Sequence, residues 1–242
     1  MFVRPPAKGK YRMVFFDIGY KNFAFAVEDF DLKDIQSVSP YTMDVFEDPI
    51  AKTYLKRKPK SQILDRKTIL NRVYNNGESI ECRNVSLLDE MTNRTNNHSG
   101  KQHFLNQELF FALTEYLDRY KYLWNTCNGF FVEEQVKFNP LAQRLEQHVY
   151  TYFTMNNPFQ STVIFPSPNK TKILCAPAYS KSERKRKLHK KWAITKAQQI
   201  LIERGEQEYL INKILAVKGK KDDLCDCVIS LQAVKVLSLI HI

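Results

Sequence analysis

The chain has 242 residues, 43% of them hydrophobic and 26% charged, which are ordinary proportions for a globular protein with room for one substantial domain. Lys and Arg number 37 against 26 Asp and Glu, and the net charge of +11 favours a polyanionic partner, most often nucleic acid and less often an anionic membrane surface. No run approaches the ~18 apolar residues of a membrane span, and the 5 scattered cysteines lack the clustered spacing of a zinc site or a disulfide framework.

The cysteines and the N-terminus together predict an intracellular protein. An odd number of scattered cysteines is typical of chains that keep their thiols reduced. The first residues, MFVRPPAKGKYR, are basic but lack the apolar segment of a secretory signal. A mitochondrial presequence stays open on charge, although two prolines disfavour an amphipathic helix there.

The first regular element is a predicted β-hairpin. MVFF and FAFAV are short apolar runs typical of buried strands, and DIGYKN between them contains the turn formers Gly19 and Asn22. From about residue 34 to 103 the chain consists of polar pieces rich in helix and strand breakers, such as RVYNNGES and NRTNNHSGK. This composition predicts a loop-rich insertion or a loosely packed subdomain.

Regular elements return after residue 103. The segment QELFFALTEYLDRYKYLW has helical spacing, FFVEEQV is a short apolar strand, and Asn139-Pro140 opens another helix. STVIFPSP is a further buried strand, and two helical segments follow it. This order predicts a single α/β domain over residues 1–242, with a mixed sheet flanked by helices and the insertion at about 34–103.

Several carboxylates end or begin these apolar segments: Asp17 after the first strand, Glu133 and Glu134 after FFV, and Asp222, Asp223 and Asp226 at the start of the last helix. Residues three or four apart lie on one helix face, and strand ends can converge with it. Each acid also has an ordinary interpretation as a turn former, a solvated strand end or a helix N-terminal charge. Buried acids, however, need partners or metal ions, and hard divalent cations with oxygen ligands suit such a cluster.

Three of these segments resemble a known family. VFFDIGYKN, FVEEQ and DDLCD are similar, in this order, to motifs of the RuvC-class Holliday junction resolvases, in particular the branch carried by poxviruses and other large DNA viruses, with fungal mitochondrial resolvases as relatives. The matching parts are about residues 12–28 and 128–238. The resemblance implies an RNase H-like fold and four acidic residues that bind two Mg²⁺ ions per active site, with Mn²⁺ as an expected substitute. By motif these are Asp17, Glu133, Asp223 and Asp226, and Glu134 and Asp222 are the alternatives.

The resemblance also implies an activity. We expect a crossover junction endodeoxyribonuclease that resolves four-way DNA junctions by paired symmetric nicks, leaving 5′-phosphate and 3′-hydroxyl ends. Two symmetric cuts imply a homodimer, for which the helix LAQRLEQHVYTYF is a candidate interface. If viral, the protein would act where viral DNA is processed, with the mitochondrion as the alternative. Two other hypotheses stay open: another RNase H-like nuclease, acting on RNA–DNA hybrids or flaps, and a non-catalytic junction-binding protein.

Two groups of residues are candidates for DNA contacts. The run at 180–191 holds seven Lys or Arg against one Glu, and PNKTK precedes it; the predicted phosphate ligands are Lys170, Lys172, Arg184, Lys185, Arg186 and Lys187. A solvated charged face and a nuclear-import signal are the alternatives. Phe138, which follows the acidic strand, is a candidate for stacking on opened bases, although a core phenylalanine is the simpler interpretation.

Overall fold

The computed structural model describes residues 4–37, 66–92, 107–177, 184–215 and 221–241. Five strands form one sheet, and in chain order they are β1 (Lys10–Asp17), β2 (Phe23–Asp31), β3 (Glu78–Val85), β4 (Gly129–Glu133) and β5 (Ser161–Phe165). The strand order is β3-β2-β1-β4-β5. The first three strands pair antiparallel, β4 runs parallel to β1, and β5 runs parallel to β4. The carboxyl ends of β1, β4 and β5 therefore lie at one end of the sheet.

Helices cover both faces of this sheet, so the prediction of an α/β protein with a mixed sheet flanked by helices is confirmed. The described helices are α1 (Leu32–Gln36), α2 (Arg66–Asn75), α3 (Leu87–Thr92), α4 (Gln107–Arg119), α5 (Lys121–Trp124), α6 (Pro140–Asn156), α7 (Ser167–Ile173), α8 (Arg184–Glu203), α9 (Glu208–Leu215) and α10 (Lys221–His241). None of these described helices is both long enough and apolar enough to cross a membrane.

The alternation of side chains along β1 builds a separate core on each face of the sheet. Phe15 packs on one side with residues of α8 and α10. Phe16 packs on the other side with α4 and α6, where its ring centroid lies 5.0 Å from that of Phe153. Both faces of the strand are covered, which explains why its sequence is a continuous apolar run.

Helix α10 crosses one face of the sheet and is apolar on nearly all sides. Residues 227–236 are all buried, because β1, β2 and α8 surround this part of the helix. A helix that is apolar all round belongs in the core of a protein, and its position there is set by packing. The acidic first turns of α10 are thereby fixed beside the sheet.

The prediction of a loop-rich region at 34–103 is wrong for residues 66–92, which form α2, β3 and α3. β3 pairs with β2 over most of its length and forms one edge of the sheet. Its sequence, ESIECRNV, is polar because an edge strand with half-buried side chains needs few apolar residues. Residues 34–36 also depart from the prediction, because they belong to α1, and residues 38–65 and 93–103 of the predicted insertion lie outside the described residues.

Candidate active site

Asp17 and Glu133 lie side by side at the carboxyl ends of two parallel strands. The β1–β4 register pairs Phe16 with Val132, so the next residue of each strand is at the same level. Alternation along β4 buries Glu133 and exposes Glu134, which selects Glu133 as the glutamate that faces Asp17. A hydrogen bond joins the Asp17 and Glu133 side chains, which requires that one carboxyl group carries a proton.

The turn after Asp17 closes tightly on itself. A Cβ atom at Gly19 would lie 2.7 Å from the backbone oxygen of Asn22, so glycine is needed for this close approach. The backbone oxygen of Tyr20 accepts a hydrogen bond of 2.9 Å from the N–H of Leu87 at the start of α3. The segment that follows Asp17 is therefore held from both sides.

Asp223 and Asp226 approach the same point from α10. They lie one helical turn apart and both are half-buried. Asp223 acts electrostatically on Asp17, and Glu133 acts on Asp226, so carboxylates from β1, β4 and α10 share one region. Asp222 belongs to the same first turn of the helix, and the prediction about its side chain lies outside the described residues.

Lys170, at the middle of α7, lies between these acids. Its Nζ is 3.3 Å from Oε1 of Glu133 and 3.4 Å from Oδ1 of Asp226. Only 9% of the residue is exposed, so the predicted role as a surface phosphate ligand needs correction. α7 begins directly after β5 and turns back over the end of the sheet, and this turn places Lys170 in the interior. The segment PNKTK has no apolar pattern that predicts the burial of Lys170.

Burial and mutual repulsion change the protonation of the cluster. Burial raises the pKa of Asp17 well above its ordinary value, and the charge of Glu133 raises it further. Burial also raises the pKa of Asp226, although Lys170 opposes this shift. The pKa of Lys170 itself is raised, because Glu133 and Asp226 outweigh the effect of burial. Four carboxylates held this closely can ionise together only when cations neutralise them.

The donor set fits a hard divalent cation, but its present arrangement surrounds an ammonium group. Asp17, Glu133, Asp223 and Asp226 offer only carboxylate oxygens, the ligands that Mg²⁺ prefers. Over the described residues, no group of three or more acidic, His or Cys side chains has a geometry ready for a metal ion. The chemistry of the donors thus suits Mg²⁺, and the positive charge now among them is that of Lys170.

Basic residues border the cluster on α7 and α8. Lys172 and Lys187 are exposed, as expected for phosphate contacts. Lys190, which the sequence-based candidates did not include, lies close enough to lower the pKa of Asp226. Arg184, Lys185 and Arg186 begin α8, and the contacts predicted for their side chains lie outside the described residues.

Phe138 is 87% exposed in the segment between β4 and α6. Its interpretation as a core phenylalanine is therefore wrong. Val136, two residues before Phe138, is 51% exposed. The two side chains form an apolar surface just beyond the strand that ends at Glu133. Such a surface is available for stacking or for contact with another chain.

Comparison with known proteins finds relatives in two invertebrate iridescent viruses. No family model and no solved structure matches the chain. The chain is 31% identical over 219 residues to uncharacterized protein 97L of invertebrate iridescent virus 3, a match that covers 90% of this chain and 96% of that protein. It is 30% identical over 243 aligned positions to uncharacterized protein 170L of invertebrate iridescent virus 6, covering 93% and 88%. The chain belongs to the family of these iridescent-virus proteins.

Proposed function

We propose that this protein is a Mg²⁺-dependent, structure-selective endonuclease that resolves four-way DNA junctions. The observation that carries the proposal is the meeting of Asp17, Glu133, Asp223 and Asp226 from three elements that are far apart in sequence. Burying several carboxylates close together destabilises the folded state, so such a cluster is expected where it serves a function. A nuclease that binds divalent cations uses such a cluster directly.

The sheet supports an RNase H-like assignment. The resolvase resemblance implies an RNase H-like fold, for which the order of elements predicts a mixed sheet flanked by helices. The order β3-β2-β1-β4-β5, with β4 and β5 parallel to β1, is compatible with that arrangement. Asp17 and Glu133 end its adjacent central strands, where the resemblance expects two of the acids.

In the proposed reaction, the four carboxylates hold Mg²⁺ at the end of the sheet. Bound Mg²⁺ supplies charge neutralisation at the scissile phosphate and an acidified water as the nucleophile. Lys172 and Lys187 are exposed on α7 and α8, the helices that also carry Lys170 and Lys190, and they would contact flanking phosphates and orient the strand. Hydrolysis would join the water oxygen to phosphorus as the bond from phosphorus to the 3′ oxygen breaks. The water would release a proton to solvent and the leaving 3′ oxygen would take one up, giving a 5′-phosphate and a 3′-hydroxyl.

The substrate and the assembly follow from charge and symmetry. The net charge of +11 supports a nucleic-acid partner, and phosphate contacts made by lysine are largely independent of base sequence. Exposed Phe138 supports stacking on a base that is opened at a branch point.

Paired nicks across a junction need two active sites, so we propose a homodimer. The viral relatives support a role in processing viral DNA inside the host cell.

The decisive experiment uses a synthetic immobile four-way junction with Mg²⁺ and compares the wild type with Asp223→Asn. We expect paired symmetric nicks that ligase can reseal in the wild type, and their loss in the variant. Asp89→Asn is the matched control, because Asp89 is an exposed aspartate in the first turn of α3. It tests whether loss of a helix N-terminal charge is enough to explain the effect.

A second candidate function is junction binding without cleavage. The observation in its favour is that Lys170 already neutralises part of the cluster. Junction binding without nicks in both proteins would favour this candidate and overturn the nuclease. Cleavage of an RNA–DNA hybrid but not of the junction would identify an RNase H activity instead.

A further inference from the structure

Lys170 is in an unusual position for a lysine of a basic protein. Its side chain is 11% exposed, and its two carboxylate partners, Glu133 and Asp226, are 12% and 20% exposed. Lysine is rarely buried unless it is paired, and here it is paired with two acids from different elements. The contacts join α7 to both β4 and α10, so the ammonium ties together the elements that supply the cluster.

The separations around this ammonium are those of ion pairs. Distances of 3.3 and 3.4 Å from nitrogen to oxygen are much longer than the ~2.1 Å of a Mg²⁺–oxygen bond. This agrees with the finding that no ready metal geometry exists within the described residues. The cluster is arranged around a monovalent cation that belongs to the chain itself.

We propose that Lys170 is an internal counter-ion, which neutralises the acidic cluster while no divalent cation is bound and leaves Glu133 and Asp226 when one binds. The inference rests on the proposed function in one respect, namely that the cluster takes Mg²⁺. It assigns Lys170 a role that the phosphate-contact prediction did not contain. Lys170 is a positioning residue in this scheme, because it acts through the acids.

Displacement follows from electrostatics at short range. Two cations that share the same carboxylate oxygens in a partly buried site repel each other strongly, since little water screens them. The flexible four-carbon stem of lysine lets the ammonium move without unfolding α7. The Lys170 side chain is already 11% exposed, so a released ammonium has a path to solvent. Metal binding would then add one positive charge to the DNA-binding surface.

The first test measures Mg²⁺ affinity and thermal stability without DNA. In Lys170→Met the competing cation is absent, so we expect Mg²⁺ to bind at least about tenfold more tightly by calorimetry. In EDTA the same variant should melt roughly 6–20 °C lower, as expected for removing one partner of a buried pair from a chain of this size. Lys191→Met is the matched control, an exposed lysine of α8, and should change neither value.

The second test uses the wild type alone and therefore does not depend on the folding of a variant. An amine-reactive acetylating reagent followed by mass spectrometry reports the accessibility of each lysine. We expect Lys170 to be protected in EDTA and modified several times faster in Mg²⁺, with Lys191 reacting equally in both. Unchanged protection of Lys170 at saturating Mg²⁺, or equal or weaker Mg²⁺ affinity of Lys170→Met, would overturn the counter-ion role.

The outcomes separate this inference from the nuclease itself. Mg²⁺ binding that exposes Lys170 in a protein that never cuts junctions would support the counter-ion and overturn the endonuclease. Junction cleavage with Lys170 protected throughout would do the reverse. A wild type that binds no Mg²⁺ would overturn both.

Discussion

Glu133 and Glu134 are adjacent in sequence but lie in opposite environments. Glu133 is 9% exposed and hydrogen-bonded to Asp17, whereas the side chain of Glu134 is exposed and its backbone N–H donates to the oxygen of Phe165 at 2.9 Å. The period of two along β4 produces this difference. It makes the two glutamates a matched pair for testing the candidate site.

We predict that Glu133→Gln lowers the rate of junction cleavage at least about 100-fold, because loss of a metal ligand should exceed the effect of losing a supporting contact. Glu134→Gln should stay within a few-fold of the wild type. Single-turnover cleavage at saturating protein measures both rates. Equal losses in the two variants would remove Glu133 from the catalytic set.

At the residue scale, the sequence predicted that the acids lie together, but it did not predict the burial of Lys170 or the exposure of Phe138. The acids were predictable in position because they follow apolar strands or begin an apolar helix. Lys170 was expected on the surface, since lysine is seldom buried, and its burial depends on acids that lie 37 and 56 residues away. A core position was the simpler interpretation of Phe138, since phenylalanine is usually buried, but none of the described elements covers the segment between β4 and α6 at that point.

At the scale of elements, a second buried ion network fastens α10 to the sheet. Glu28 of β2 pairs with Lys235 of α10 at 2.5 Å and with Arg204, just after α8, at 3.1 Å. Gln232 bridges the network by donating to Glu28 and accepting from Arg204. These residues lie toward the far end of α10 from the acids, so the network fixes the helix at one end and the cluster uses the other.

We predict that Glu28→Gln lowers the free energy of unfolding by about 3–5 kcal/mol, because it leaves two buried cations without their carboxylate. Lys235→Met should have a smaller effect, since Glu28 keeps Arg204. Urea unfolding at pH 7 measures both. Glu78→Gln is the control: Glu78 forms an exposed pair of 3.0 Å with Lys10, and its loss should change stability by less than about 1 kcal/mol.

The same network predicts a pH dependence. Burial opposes ionisation of Glu28, but Arg204 and Lys235 outweigh it and hold the pKa of Glu28 below its ordinary value. A carboxyl whose pKa is lower in the folded state contributes stability above its unfolded pKa, about 4.3, and loses it as the pH falls through the folded value. Acid unfolding of the wild type should therefore steepen below about pH 4.3. A Glu28→Gln protein should lack this part of the pH profile, measured as the urea midpoint against pH.

Elements with strong periodicity were predictable, and β3 was not. The hairpin of β1 and β2, helices α4 and α6, and strands β4 and β5 all follow from apolar runs or helical spacing. α4 and α5 were predicted as one helix, which the structure divides at Tyr120. β3 forms because β2 offers an unpaired edge. The polar sequence of β3 contains no pattern that predicts this pairing.

At the scale of the whole molecule, charge should govern the affinity for DNA. We predict that junction binding, measured by fluorescence anisotropy in Ca²⁺ to prevent cleavage, weakens steeply as salt rises, because lysine contacts release condensed counterions. Replacing both Lys172 and Lys187 by Met should reduce the slope of log K against log salt by about 0.9 for each lost contact. Lys33→Met is the control, an exposed lysine on α1 at the opposite end of the sheet. An unchanged slope in the double variant would remove these lysines from the DNA interface.

Symmetric cleavage also predicts the assembly. Sedimentation equilibrium should give a mass of twice the 28.5 kDa chain at micromolar concentration. The helix α6 is the predicted interface, so Arg144→Glu, at an exposed position of that helix, should weaken the dimer. Lys121→Glu, at an exposed position at the start of α5, serves as a charge-reversal control. A monomer that still makes paired nicks would contradict the link between symmetry and cleavage.

The sequence by itself determined the α/β class, the order of the main elements and the acids to be tested. These features depend on periodicity and residue type, which are visible in short stretches of neighbouring residues. The tertiary structure decided the rest: that residues 66–92 complete the sheet and its flanking helices, that Lys170 lies among the acids, and that Phe138 is uncovered. It also brings Asp17, Glu133 and Asp226 to one point. Each of these outcomes depends on a partner distant in the chain, and burial by distant partners leaves no local pattern. The matches to the iridescent-virus relatives cover at least 90% of the chain, so they include most of residues 34–103.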